Sequence, residues 1–345
     1  GKPVIVHAKT VKGKGYAIAE GHHEHWHGVG PFDVDSGEFT KKSNTPKAAT
    51  AVFSDALTEL ASNDEKVVGV TAAMPSGTGM DQLMEKFPNR FWDVAIAEQH
   101  AVTSMAAMAK DGFKPFVTIY STFLQRGFDQ IVHDVCLMKL PVVFTIDRAG
   151  IVGADGETHQ GQFDISMLRF LPNMTLFAPR DAKTLEYALE FGKDYNAPCA
   201  IRYPRGAFAN LDFESTKFKL GCGEILKNGS SDIAFIGYGS GVSRAIDTSN
   251  LMEQDVSIVD LRFVKPLDIE LLKELSKTTK TWYIFSDSQK QGGVGSALLE
   301  FINDYDVTVK VVTFEYEDIY IQHGDTKLLE EELEMLPNQL AKKIK

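Results

Sequence analysis

Apolar residues follow two rhythms along this chain. Short continuous apolar runs alternate with stretches where apolar residues return every three or four positions. These are the patterns of buried strands and amphipathic helices. The runs at 67–71, 91–96, 114–120, 141–146, 174–178 and 199–203 predict strands. Helical spacing predicts helices over 80–87, 97–109, 122–139, 164–168 and 182–193, and an earlier one carrying Ala49, Val52, Phe53, Ala56, Leu57 and Leu60. That earlier helix opens at Thr45-Pro46, with Thr45 as N-cap and Pro46 at the first helical position. The alternation predicts a parallel sheet with helices on both faces.

A second alternating unit follows an irregular stretch at 205–230, which places a boundary near 225. Its predicted strands are 232–238, 256–260, 282–286 and 309–313, and its predicted helices 242–252, 268–277, 294–304 and 328–335. At the other end, residues 3–9 read as a buried strand. One strand makes no sheet, so its partners are expected elsewhere, as if the chain entered a domain part-way. Residues 10–45 read as a polar, Gly- and His-rich loop or crossover. The expected fold class is α/β: two doubly wound α/β domains, 46–225 and 226–345, preceded by the tail of a third, 1–45.

Composition narrows the function classes. The chain has 345 residues, with 36 Lys and Arg against 47 Asp and Glu, a net charge of −11. An acidic surface argues against general nucleic-acid binding. No apolar run approaches the length of a membrane span, and no secretory signal is visible at the start. Cys136, Cys199 and Cys222 form no metal-binding pattern; they read as small core residues of a protein in a reducing cytoplasm.

Chemistry gathers where strands end. Phe91-Trp-Asp-Val-Ala-Ile-Ala-Glu98 runs from a strand into a helix and sets a carboxylate at the first helical turn. Ligands bind at the carboxyl edge of such sheets, although a Glu there also simply complements the helix dipole. Tyr120-Ser-Thr-Phe123-Leu-Gln-Arg126 lies at another strand end; Phe123 suits either the core or stacking on a flat ring. The run Asp147-Arg148-Ala-Gly-Ile-Val-Gly-Ala-Asp155-Gly-Glu-Thr-His159-Gln-Gly161 packs titratable groups into a glycine-rich loop after a buried strand, a composition typical of functional loops. Arg202-Tyr-Pro-Arg205-Gly206 ends a further strand, where a guanidinium suits a phosphate or carboxylate, or a surface ion pair. His23-Glu-His-Trp-His27 matches the H-E-x-x-H zinc signature, but glycines flank it and no helix is predicted there, so a loop bearing one functional His is the better reading. Gly292-Gly-Val-Gly295 reads as a tight strand-to-helix turn that can also accept an anion.

Together these words resemble the transketolase group of thiamine diphosphate enzymes, in particular the branch that condenses pyruvate with glyceraldehyde 3-phosphate. The resemblance covers the whole chain. It implies the end of a diphosphate-binding domain at 1–45, a pyrimidine-binding domain at 46–225 and a C-terminal domain at 226–345. It also implies that Glu98 hydrogen-bonds the cofactor's pyrimidine N1′, that Phe123 stacks on that ring, and that Ile96 and Met74 line its site. His27 and His159 are expected near the reacting carbon as proton-transfer groups. Tyr120, Arg148, Asp155 and Arg205 are expected on the phosphorylated aldehyde. Thiamine diphosphate and Mg²⁺ are the implied cofactors and a homodimer the implied assembly. The group's Gly-Asp-Gly…Asn motif, which holds Mg²⁺ and the diphosphate, is absent from these residues, so no metal ligand is expected in this chain and that half can reside in a separate polypeptide. The β subunit of a 2-oxoacid dehydrogenase first component is the competing reading. It pairs the same two domains, but the Lys12–Asp33 segment argues against it.

Overall fold

The structure is a computed structural model that describes residues 1–21, 26, 29, 31–39 and 46–344. It divides into two compact units, Gly1–Pro46 and Lys47–Lys345.

In the smaller unit, the strand expected at 3–9 is not formed, and Ile5 is 95% exposed. Among the described residues no strand lies alongside to share its backbone hydrogen bonds, so its apolar side chains have no sheet face to bury. The unit is organised instead by aromatic packing. Trp26 meets Tyr16 and Phe32 edge-on at 5.3 and 4.8 Å, and the Tyr16 hydroxyl donates to the Val34 carbonyl. His23, Glu24, His25, His27 and Thr45 lie outside the described residues.

The larger unit holds two sheets. The strands are β1 (Val67–Thr71), β2 (Phe91–Asp93), β3 (Lys114–Tyr120), β4 (Val143–Ala149), β5 (Thr175–Phe177), β6 (Cys199–Pro204), β7 (Glu224–Lys227), β8 (Ile233–Gly237), β9 (Ser257–Asp260), β10 (Phe263–Lys265), β11 (Thr281–Gln289) and β12 (Lys310–Tyr316). The first sheet runs β10-β5-β6-β4-β3-β1-β2 and the second β12-β11-β8-β9-β7. Pairing is parallel except for β10 on β5 and β7 on β9.

Both faces of the first sheet are covered, as its unbroken apolar strands require. Val67, Phe116, Val143 and Ile201 point to one side and pack with Phe53, Leu57, Leu185 and Leu189. Their neighbours Val68, Val117, Phe144 and Ala200 point to the other and pack with Val102, Met105 and Leu168. That second core runs on without a break into Ile236 and Val259 of the second sheet and Leu298 of the helix Val294–Asp304. The expected class, two doubly wound α/β domains, is therefore the observed one. The strand order reverses at β1 and β3, and in such sheets the crevice beyond that point is where ligands bind.

Several elements differ from expectation. The strand expected over 91–96 stops at Asp93, because the Asp93 side chain turns back to accept the N–H groups of Ala73 and Ala95 at 2.7 and 2.9 Å. The helix expected over 122–139 is instead a 3₁₀ turn, Ser121–Gly127, a short α segment, Phe128–Gln130, and a π turn, Ile131–Cys136. Gly127 is where this segment presses on its neighbour: a Cβ there would sit 3.3 Å from the Glu98 carbonyl oxygen and 3.0 Å from Val102. Strands β7 and β10 and the helix Pro337–Lys343 carry no clear periodic signal, being short and paired with distant segments. Cys136 and Cys199 are buried as expected, whereas Cys222 is only half-buried.

Candidate active site

The carboxyl ends of β1, β2, β3, β4 and β6 bring the chemistry to one edge. Glu98 opens the helix Glu98–Lys110 and is 2% exposed. Its Oε2 accepts from Arg126 Nε at 2.7 Å. No other hydrogen bond to this carboxylate occurs among the described residues, so Oε1 stays free for a ligand. Three residues per turn in the 3₁₀ segment Ser121–Gly127 set Phe123 and Arg126 on the same side. Both line a cavity of about 740 Å³, together with Thr122, Thr158, Phe163 and Tyr320.

From Phe123 the contacts run on continuously. Phe123 lies 5.1 Å from the His159 ring and 6.0 Å from the Tyr120 ring. The Arg148 guanidinium lies 3.7 Å above the Tyr120 ring, a cation–π geometry. Arg148 Nη1 donates to the Gly77 carbonyl at 2.6 Å, while its buried Nε makes no hydrogen bond, with Asp155 Oδ2 at 3.8 Å. Asp155 also pairs with Arg205 Nη1 at 3.1 Å. His159 Nδ1 shares a 2.9 Å hydrogen bond with the Thr158 hydroxyl. Burial pushes the Tyr120 hydroxyl up to about 12, so it stays a neutral donor at physiological pH.

Six of the expected site residues, Tyr120, Phe123, Arg148, Asp155, His159 and Arg205, thus form one connected patch. Met74 is half-buried and Ile96 is 71% exposed. Their loops are buckled together by Asp93, through the N–H groups of Ala73 and Ala95. Ala73, Ala95 and Arg148 have φ values of 59°, 55° and 61°. Such left-handed conformations are costly for residues other than glycine and tend to collect at functional sites. His27 lies outside the described residues.

Arg202, three residues before Arg205 and still within β6, has a different role from either sequence reading. It is buried and donates to Asp164 Oδ2 at 2.8 Å and to Asp287, an interior ion triplet that joins the two sheets. The roles of Asp93, Asp147 and Gly77 were not legible as such. For Gly77 the signal was present in Ser76-Gly-Thr-Gly79. A Cβ at Gly77 would come within 1.9 Å of the Tyr120 hydroxyl, so a glycine is required for that close approach. Among the described residues no cluster of His, Cys, Asp and Glu is placed to hold a metal, and no helix is long and apolar enough to cross a membrane.

A strand-end carboxylate, an aromatic shelf and an arginine cluster at the reversal point of a doubly wound sheet define a class that comparison with known proteins names. The model of the transketolase pyrimidine-binding domain matches residues 45–210, and that of the transketolase C-terminal domain matches 221–340. The chain belongs to the transketolase family. It is 71% identical over 345 residues to a 1-deoxy-D-xylulose-5-phosphate synthase of Aliarcobacter butzleri, the match covering 100% of this chain and 57% of that protein. Synthases of the same name from Sulfurimonas denitrificans and Campylobacter jejuni are 62% and 56% identical, covering 57% and 56% of those proteins. The chain therefore spans little more than half the length of these curated relatives. A split-gene transketolase, described as an inactive beta4 tetramer, superposes with a TM-score of 0.77 at 26% identity, covering 86% of this chain and 97% of that one. Transketolase from Campylobacter jejuni shares the fold at a TM-score of 0.70 and 19% identity, covering 90% of this chain and 48% of that one.

Proposed function

We propose that this chain supplies the pyrimidine-binding half of a thiamine-diphosphate enzyme that condenses pyruvate with D-glyceraldehyde 3-phosphate, releasing CO₂ and giving 1-deoxy-D-xylulose 5-phosphate. The observation that carries the reading is the buried Glu98 carboxylate, with one oxygen held by Arg126 and the other free. Its partner Arg126 lines the same cavity as the Phe123 ring. The synthase name borne by relatives across this whole chain favours this reading over a 2-oxoacid dehydrogenase β subunit.

The residues fit the cofactor's aminopyrimidine end. Glu98 Oε1 would meet the ring nitrogen, Phe123 would offer a face to stack on, and Ile96 and Met74 would supply apolar walls. When bound, the cofactor supplies the nucleophilic carbon that attacks the 2-oxo acid. The chain's own residues orient and shuttle protons. Arg126 fixes the rotamer of Glu98, and burial excludes water from a carboxyl group that must share a proton with the ring. His159, which packs edge-on against Phe123, is the proton-transfer group nearest the stacking face, and His27 is assigned the same task. Arg148 and Arg205 take the phosphate of the acceptor, since paired guanidinium forks match phosphate oxygens. The Tyr120 hydroxyl and Asp155 take up its remaining oxygen groups. The diphosphate and Mg²⁺ are assigned to a polypeptide segment beyond these residues, whether in a longer chain or a separate one, and the active assembly to a dimer.

The test is turnover. The chain joined to a diphosphate-binding half is expected to form the ketose phosphate from pyruvate and glyceraldehyde 3-phosphate only with thiamine diphosphate present. Oxidative acyl transfer in place of carbon–carbon bond formation would overturn the reading.

A further inference from the structure

Arg148 stands in a strained place. Its φ of 61° is unfavourable for a long side chain, so something must hold the backbone there. The Arg148 N–H donates to Asp147 Oδ1 at 2.6 Å, and Arg148 Nη1 lies 3.5 Å from Asp147 Oδ2. Asp147 is 0% exposed, and its Oδ2 accepts the Thr50 hydroxyl at 2.8 Å. With its backbone fixed in this way, Arg148 lays its guanidinium flat over Tyr120 and leaves Nε pointing at no hydrogen-bond acceptor.

The charges around Asp147 are mixed. Burial opposes its ionised form and holds the carboxyl up at about 6, while Arg148, the Thr50 hydroxyl and Arg205 favour ionisation. The phenols of Tyr120 and Tyr203 also face it and are themselves pushed up, first by burial and further by its charge. Asp155 lies across Arg148 from it, and His159 stands on the far side of the Tyr120 ring. A dianion placed on Arg148 adds negative charge beside a carboxylate that is already costly to ionise. A proton on Oδ2 relieves that repulsion. The Thr50 hydroxyl can reverse to accept it, and Oδ1 goes on accepting the Arg148 N–H.

We propose, resting on the assignment of Arg148 to a phosphate, that Asp147 is the positioning residue of that anion site: one carboxylate oxygen holds the Arg148 backbone, and loading of a dianion is accompanied by proton uptake on the other.

The test is calorimetric titration of the 345-residue chain with sulfate, which stays doubly charged between about pH 5 and pH 8, in buffers of different ionisation enthalpy. Wild type is expected to take up a fraction of a proton per sulfate near pH 7 and to bind more tightly as pH falls. Asp147→Asn keeps the acceptor oxygen and lacks the charge; it should bind sulfate at least as tightly as wild type at pH 7.5, with no proton uptake. Asp147→Ala lacks both and should lose roughly tenfold in affinity, the size of one anchoring hydrogen bond. Thr50→Ala, a milder change, should move the uptake to higher pH. Proton uptake that persists in Asp147→Asn would overturn the proposal and point to His159, as would an Asn variant weaker than wild type at every pH. A wild-type chain that binds no sulfate, or an Arg148→Lys variant with unchanged affinity, would instead overturn the phosphate assignment itself, and this inference with it.

Discussion

The two sheets end in edges of the same design that have been finished differently. At the second sheet, acids and glycine turns satisfy one another. The Glu315 carboxylate at the end of β12 accepts the N–H of Val294 at 2.8 Å and that of Gly295 at 3.2 Å, filling the N-terminus of the helix Val294–Asp304. A Cβ on Gly293 or Gly295 would lie 2.6 Å from its oxygens. Asp287, near the end of β11, is taken by Arg202 and by the Ser240 hydroxyl. At the first sheet the equivalent groups are left incomplete: Glu98 has one donor, Arg148 has an unused Nε, and the side chain of Arg205 is 38% exposed. A doubly wound sheet offers an anion-friendly rim wherever strands run into helices. It becomes a site only where the chain does not fill that rim with its own side chains.

Substitutions on either rim can break this contrast. Glu98→Ala should bring the largest loss: turnover of the complete enzyme is expected to fall by about 10²–10⁴, the range for a group acting in proton transfer, with little change in melting temperature. Steady-state rates and a thermal melt check both halves of the statement. Arg202→Ala acts the other way. It strands Asp164 and Asp287 as unpaired buried charges, and the stability measured by urea unfolding should drop by about 3–5 kcal/mol. Arg205→Ala should raise KM for the phosphorylated aldehyde roughly tenfold, in line with the loss of one charge-assisted contact, and leave KM for pyruvate nearly unchanged. Equal rises for both substrates would remove Arg205 from the phosphate site.

The filled rim carries a further effect, on pH dependence rather than on turnover. Burial raises Glu315 to about 7 from the ordinary 4.5, against the pull of its backbone donors. The unfolded chain therefore releases this proton at lower pH than the folded one. The stability Glu315 contributes is fully present below about pH 4.5 and is lost as pH rises through about 7, a fall of about 3 kcal/mol over the window. In Glu315→Gln that part of the slope should vanish while turnover stays near wild type. Unfolding curves at pH 5 and pH 7.5 measure it.

How far the sequence carried varies with the range of the forces involved. Strand β3 and the helix Val294–Asp304 appear at the predicted residues, because an apolar run or a helical stripe is a local signal that burial reinforces. Strand β10 was invisible: it is a short segment of the second alternating unit that adds antiparallel to β5, and only the tertiary arrangement gives it a partner. The expected strand at 3–9 fails for the same reason in reverse. At the site, the strand-end residues were legible through their matched words. The groups that hold them were not. Asp93 reaching back to Ala73, Gly77 under the Tyr120 hydroxyl and Thr50 against Asp147 are contacts between segments far apart in the chain. Arg202 looked like a ligand contact or a surface pair; its buried partners lie in elements that sequence spacing does not bring together.

The decisive contact is that of Glu98 with the cofactor ring at the open rim. The most direct measurement is a structure of this chain with its diphosphate-binding half and thiamine diphosphate. The predicted result is Glu98 Oε1 within about 3 Å of a pyrimidine nitrogen, with the ring lying against Phe123 and Arg126 still on Oε2. A ring seated elsewhere, with Glu98 out of its reach, would contradict the account.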